Sequence, residues 1–356
     1  MQIEHGLIDV HHHFIPPAFL KAAADRGIDK VAGRELPDWT SEDSIAVMNQ
    51  NGIQTAILSL SAPGTHLGGG KAQAVSLARA CNEYAQQIRE KHPGRFGSFA
   101  VLPMPFVEAS CAEAQFALDH LNADGIVLLG STDDKYLGDD HFRELMAELN
   151  ARSAVVFIHP NVHSTSSALG LDIPEFFVEF LCDTTRAAAN LILSGTVDQF
   201  PNIKWILSHS GGFLPYIAWR MSLANLFPEL AEKAPEGIMS YIKRFYYDTA
   251  LSPSPYSLPA LKQLVDPSQI LFGSDFPFAP APVVDLECST LAESKLLTDT
   301  ERNGIYRGNA LKLLPKFCEP EENGSLPVFK GRSMLQVLHR AKSKLRVKLV
   351  GALQNQ

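Results

Sequence analysis

Leu7-Ile8-Asp9-Val10-His11-His12-His13 decides the reading of this chain: an apolar run of strand length closes on three imidazoles. The design recurs. His159 follows Val155-Val156-Phe157-Ile158, His209 comes just after Trp205-Ile206-Leu207, and Asp275 closes Ile270-Leu271-Phe272-Gly273-Ser274. Most of these runs have the length and the β-branched or aromatic content of strands. Strands that end in ligand-type residues, repeated along one chain, build a metal site at the C-terminal rim of a parallel barrel.

Working outward, strand-like and helix-like runs alternate. Strands are expected at residues 6–10, 54–60, 96–102, 125–129, 154–158, 203–207, 245–248 and 270–272. Helical patterns cover 41–53, 71–91, 107–121, 141–151, 176–193 and 258–265, with a closing helix inside 299–314. This alternation implies parallel pairing. No GxGxxG or P-loop follows a strand, which counts against the nucleotide-binding open sheets. The marks on strands one, five, six and eight must also meet to act together, and a barrel sets its first and last strands side by side. The expected fold is therefore a (β/α)8 TIM barrel over residues 1–318. Residues 14–40, with Pro16-Pro17 and Trp39, form a lid or small insertion after the first strand. Residues 319–356 are a basic C-terminal extension: a helix packed on the barrel or on a partner subunit, or else one suited to an anionic membrane surface.

Bulk composition narrows the function. The chain has 356 residues, 46% of them hydrophobic, enough for one large core. A net charge of −8 argues against nucleic acid as partner. No apolar run approaches the length of a membrane span, and no signal-type segment opens the chain. Cys81, Cys111, Cys182, Cys288 and Cys318 are odd in number, scattered and without CxxC. They read as free thiols in a reducing compartment, the cytosol.

Side chains alternate along a strand, so His11 and His13 share a face and can hold one ion, while His12 points away to pack or to support a ligand. His159 adds a third nitrogen. Asp275 offers an oxygen and can carry a proton, unless it merely caps a helix. Three nitrogens and one oxygen with an open position suit a catalytic metal, Zn²⁺ first and Mn²⁺ as the alternative. His209 is the candidate acid/base, because a nearby cation favours its neutral form; a further ligand is its other reading. Asp248 either orients a ligand or is a buried structural carboxylate. Phe14, Phe213, Phe276 and Phe278 flank the marks, as pocket walls or as core.

The motifs His11-His12-His13, His159-Pro160, His209-Ser210-Gly211-Gly212 and Gly273-Ser274-Asp275-Phe276-Pro277 resemble the amidohydrolase superfamily, in its decarboxylase branch. Asp9-Val10-His11-His12-His13-Phe14-Ile15-Pro16-Pro17 and Tyr136-Leu137-Gly138-Asp139 are most similar to the decarboxylases of 6-methylsalicylate within it. The resemblance spans about residues 5 to 315. It implies His11, His13, His159 and Asp275 as ligands of one divalent metal and His209 as acid/base. It further implies Arg220 as a substrate-carboxylate arginine given across a homodimer interface, where the alternative is a helix-surface salt bridge. Arg34 lies near a second such arginine but is not assigned, since the local spacing differs. The activity implied is non-oxidative decarboxylation of an ortho-hydroxybenzoate in polyketide secondary metabolism, 6-methylsalicylate giving m-cresol and CO2. A metal-dependent hydrolase of a lactone or amide is the alternative.

Overall fold

The computed structural model describes residues 6–318. Eight strands form one sheet: β1 (Leu7–His13), β2 (Ile53–Ser59), β3 (Phe96–Val101), β4 (Gly125–Leu129), β5 (Val155–His159), β6 (Lys204–Leu207), β7 (Tyr246–Asp248) and β8 (Ile270–Leu271). Their order in space is their order in the chain, and each adjacent pair is parallel. A doubly wound sheet would reverse direction partway across. A sheet that never reverses must curl round.

It closes on itself where the chain beyond β8 reaches β1. Val10 N–H donates to Phe272 O at 2.9 Å, Asp275 N–H to His11 O at 2.7 Å, and His13 N–H to Phe276 O at 2.7 Å. Asp9 fastens this seam. Its Oδ1 accepts from His11 N at 3.1 Å and Ser274 N at 3.0 Å, and its Oδ2 from Ser274 Oγ at 2.5 Å and His12 Nδ1 at 2.9 Å. The carboxylate is fully buried, so these four donors replace the water it lost. Four of the expected marks thus share one rim, and the barrel expectation holds.

The outer layer is helical: α1 (Ser41–Asn51), α2 (Gly70–Lys91), α3 (Val107–Asp119), α4 (Arg143–Ala151), α5 (Glu179–Leu193), α6 (Leu214–Ser222), α7 (Ser257–Leu264) and α8 (Ala281–Glu293). Helix α1 begins at a capping box between Thr40 and Asp43 and stops at Gly52, whose φ of 67° is the left-handed cap. That stop hands residue 53 to β2. Two other boundaries moved. A register shift between Asp9 and His12 inserts a bulge, which keeps His12 and His13 paired with Leu58 and Ser59 and lengthens β1 through all three histidines. The helix expected at 176–193 is a short turn, Glu175–Phe177, followed by α5.

The insertion after β1 holds a helix, Pro17–Ala24, and a two-stranded hairpin, Lys30–Val31 with Arg34–Glu35. Ala32 O accepts from Phe176 N at 3.4 Å, tying the hairpin to the turn that precedes α5. The basic extension expected at 319–356 lies outside the described residues.

Candidate metal centre and active site

His11, His13, His159 and Asp275 come together at the barrel mouth. Each offers one ligand atom, and these atoms lie within 4.8 Å of one another. His11 Nε2 is 3.0 Å from His13 Nε2, and Asp275 Oδ1 stands 3.2 Å from the first and 3.1 Å from the second. All four residues are buried. His12 points the other way, as expected: its Nε2 meets Ser44 Oγ at 2.8 Å, and Trp39 Nε1 donates to that same hydroxyl at 2.8 Å.

Each imidazole of the cluster is aimed by its second nitrogen. Nδ1 donates to Asp248 Oδ2 at 2.7 Å in His11, to Ser59 O at 3.0 Å in His13, and to Pro160 O at 2.8 Å in His159. Carbonyls only accept, so Nδ1 holds the proton in His13 and His159, and their Nε2 lone pairs face inward. Lone pairs gathered beside a carboxylate at about hydrogen-bond distance call for a cation between them. Burial disfavours charge on His11, but Asp248 and Asp275 outweigh it and push its pKa up to about 10. Burial, with His11 adjacent, lowers that of His13; burial with His13 and His11 lowers that of His159 well below the imidazole range. Burial opposes the Asp275 charge, yet the His11 and His13 rings hold the carboxyl well below the usual range. A divalent ion satisfies this donor set more completely than one shared proton does, and the residues fit it.

Backbone strain is concentrated here. His209, Ser210, Leu251 and Asp275 have φ of 52°, 56°, 52° and 56°, a region side-chain-bearing residues rarely adopt. Such outliers cluster at functional sites and need firm support. Asp248 gives part of it: besides His11, its Oδ1 accepts from His209 N at 2.8 Å and Ala250 N at 3.0 Å. Asp248 is thus both a buried structural carboxylate and the partner that aims the His11 ring. Gly273 supplies space, since a Cβ there would lie 2.8 Å from His11 Cβ. Asp248→Asn removes the charge that aims His11, so metal affinity is expected to fall by roughly 10–100-fold with the fold retained. Competition against a graded chelator, beside circular dichroism, measures this.

His209 sits next to the cluster, its ring centroid 4.9 Å from that of His11 and 6.3 Å from that of His159. Its Nδ1 donates to Ala250 O at 3.1 Å, leaving Nε2 as the free nitrogen. Burial, aided by His11, lowers its pKa and keeps it neutral. It also belongs to a second possible donor group, His11, His209 and Asp248, in which Asp248 is already bonded to His11 Nδ1.

A cavity of about 570 Å³ opens onto this cluster. Ser61, His159, His209 and Asp275 form its polar end. Phe180 and Phe278 flank that end, with ring centroids 5.7 Å from His159 and 5.3 Å from His13. Of the four phenylalanines read from sequence, only Phe278 lines the cavity. Phe14 packs near Trp39 and Tyr84, Phe276 lies buried against His12, and Phe213 is exposed. Arg34 lines the cavity although sequence left it unassigned, whereas Arg220 is exposed on α6 and does not line the cavity of its own chain. Sequence reasoning also missed Glu287 on α8. Its buried carboxyl accepts from Leu251 N and so anchors the strained loop that carries Ala250 O. Its place in the chain, far from any mark, carried no signal.

The pattern of the amidohydrolase family matches residues 8–316. Decarboxylase yanB of Aspergillus niger is 38% identical over 328 residues, covering 88% of this chain and 89% of that protein. The 6-methylsalicylic acid decarboxylase of Penicillium expansum is 37% identical over 313 residues, covering 87% and 96%. A solved dihydroxybenzoic acid decarboxylase from Polaromonas sp., with bound manganese and the inhibitor 2-nitroresorcinol, is 26% identical at a TM-score of 0.75, covering 89% of this chain and 98% of that one. A match over nearly all the described residues, joined to relatives of this closeness and to a barrel with its histidines and aspartate at one rim, makes this chain a member of the amidohydrolase family.

Proposed function

We propose that the protein is a metal-dependent, non-oxidative decarboxylase of an ortho-hydroxybenzoate, with 6-methylsalicylate giving m-cresol and CO2. One observation carries this reading: a cluster of inward-facing imidazole nitrogens and a carboxylate ends a cavity whose other walls are largely aromatic and aliphatic. His11, His13, His159 and Asp275 are its metal ligands. Zn²⁺ is the ion proposed, on the nitrogen-rich donor set; Mn²⁺ is the second choice, supported by the manganese in the Polaromonas structure. When bound, the ion orients the substrate carboxylate and hydroxyl and screens their charge.

The chain's own residues supply the rest. Phe180 and Phe278 hold the ring beside the cluster. Neutral His209 takes the phenolic proton at Nε2 and returns it to the carboxyl-bearing carbon. The C–C electron pair goes back into the ring as CO2 leaves, and solvent reprotonates the phenolate oxygen. Asp275, also in the cavity wall, is the other carrier able to serve that carbon. Arg34 pairs with the substrate's negative charge from the insertion, which acts as a lid. The exposed side chains Tyr216 (88%), Trp219 (74%) and Leu226 (77%) on and after α6 support a homodimer in which Arg220 reaches the neighbouring subunit's cavity. Among the described residues no helix is long and apolar enough to cross a membrane, and the five cysteines are unpaired, which supports a cytosolic site of action.

The test is turnover of 6-methylsalicylate and of a lactone and an amide of similar size, before and after chelation. CO2 and m-cresol, lost on chelation and regained with added metal, are expected. A hydrolysis product without CO2 instead assigns the same cluster to activating water, and the decarboxylase reading fails.

A further inference from the structure

We infer that the cavity also takes, at the 6-position of the hydroxybenzoate, an apolar chain of several carbons, and turns such substrates over faster than the 6-methyl one. This rests on the decarboxylase reading above and specifies its substrate class. Four polar groups of the cavity, Ser61, His159, His209 and Asp275, gather at the end of the ligand cluster, and Arg34 and Ser252 also line it. The substrate's carboxylate and ortho hydroxyl take the end of the ligand cluster, with Arg34 as their charge partner. The rest of the wall is mainly apolar, with Val31, Phe176, Phe177, Leu181, Leu251 and Val283 and no carboxylate or amide.

That wall extends well past the reach of a methyl. The cavity volume of about 570 Å³ lies within the range, roughly 300–1,000 Å³, that encloses drug-sized ligands. The apolar surface continues to the mouth, where Phe177 and Leu251 remain 61% and 47% exposed. Large apolar side chains left facing solvent beside a polar site mark a surface that a ligand covers. Two further features show that the wall is built. Phe176 and Phe177 pack on each other with ring centroids 4.2 Å apart, and Phe176 N–H is tied to Ala32 O of the hairpin that bears Val31. Leu251 is held at its strained φ of 52° by the buried Glu287 carboxyl, so its side chain is fixed toward the cavity at a conformational cost.

The experiment compares initial rates of CO2 release from 2-hydroxybenzoates bearing 6-methyl, 6-propyl and 6-pentyl groups, with the metal-loaded full chain. Each methylene buried along the wall favours the bound states, so kcat/KM is expected to rise about fourfold per added methylene until the wall is covered. A pentyl congener turned over no better than the methyl one overturns the inference and leaves the decarboxylase reading standing. No CO2 from any congener overturns both. Phe177→Ala separates recognition from mere folding, since the side chain is largely exposed. The pentyl-to-methyl ratio is expected to fall toward one; an unchanged ratio, with both rates lowered alike, overturns the assignment of this wall.

Discussion

His209→Asn is expected to lower kcat by about 10²–10⁴ while the bound metal stays at the wild-type level. The size is that of a positioned acid/base removed from a proton transfer. The choice of asparagine is structural. His209 has a φ of 52°, a conformation asparagine adopts far more readily than alanine does. The bond from its backbone N–H to Asp248 Oδ1 does not involve the ring, so the strained turn and the Asp248–His11 contact survive. What disappears is the Nε2 that Ala250 O, by holding Nδ1, leaves free. Single-turnover rates alongside metal content by elemental analysis read the two effects apart. A parallel loss of metal would make His209 a ligand, as its overlap with His11 and Asp248 allows; an unchanged rate would remove it from the chemistry.

The parts of this site that were legible in the sequence are those the chain itself punctuates. A parallel strand buried on both faces is a continuous apolar run, so a histidine or aspartate at its end stands out, and the order of runs fixes the rim on which it lies. His11, His13, His159, His209 and Asp275 were found this way. Asp248 was harder, since a carboxylate ending a three-residue strand reads the same whether it aims a side chain or bonds backbone amides; the structure shows it bonded to the His11 ring and to two amides. Arg34 and Glu287 were out of reach for different reasons. Arg34 comes to the cavity because Ala32 O of its hairpin is bonded to a turn some 140 residues later, a contact without periodicity. Glu287 acts through a backbone N–H, which leaves no trace in side-chain pattern. Helix α8 was not among the expected helices; it starts with proline in its first turn, a position where proline is well tolerated. Arg220 is of another kind: the family motif places it across a subunit interface, and in its own subunit it stands exposed and outside the cavity.

Asp275→Asn is expected to cost both metal and turnover, each by more than the roughly 10–100-fold of a residue that merely supports a ligand. The backbone is again spared. Asparagine accepts a φ of 56°, and the seam bond from Asp275 N–H to His11 O remains. The loss is electrostatic: the carboxylate is one of the two charges that outweigh burial and hold the His11 pKa up at about 10, so without it that pKa falls and the cation the cluster can stabilise is held less firmly. Thermal melts with titrated metal read this directly. An ion at about 100-fold its Kd adds about 2.7 kcal/mol to wild-type stability, and the variant is expected to gain little at the same concentration. Saturating metal then divides the remaining question. If Asp275 only holds the ion, enough metal returns wild-type kcat; if it also carries a proton to the ring carbon, kcat stays low at full occupancy. Unaltered metal affinity would remove Asp275 from the coordination set, and the three imidazoles would have to hold the ion alone.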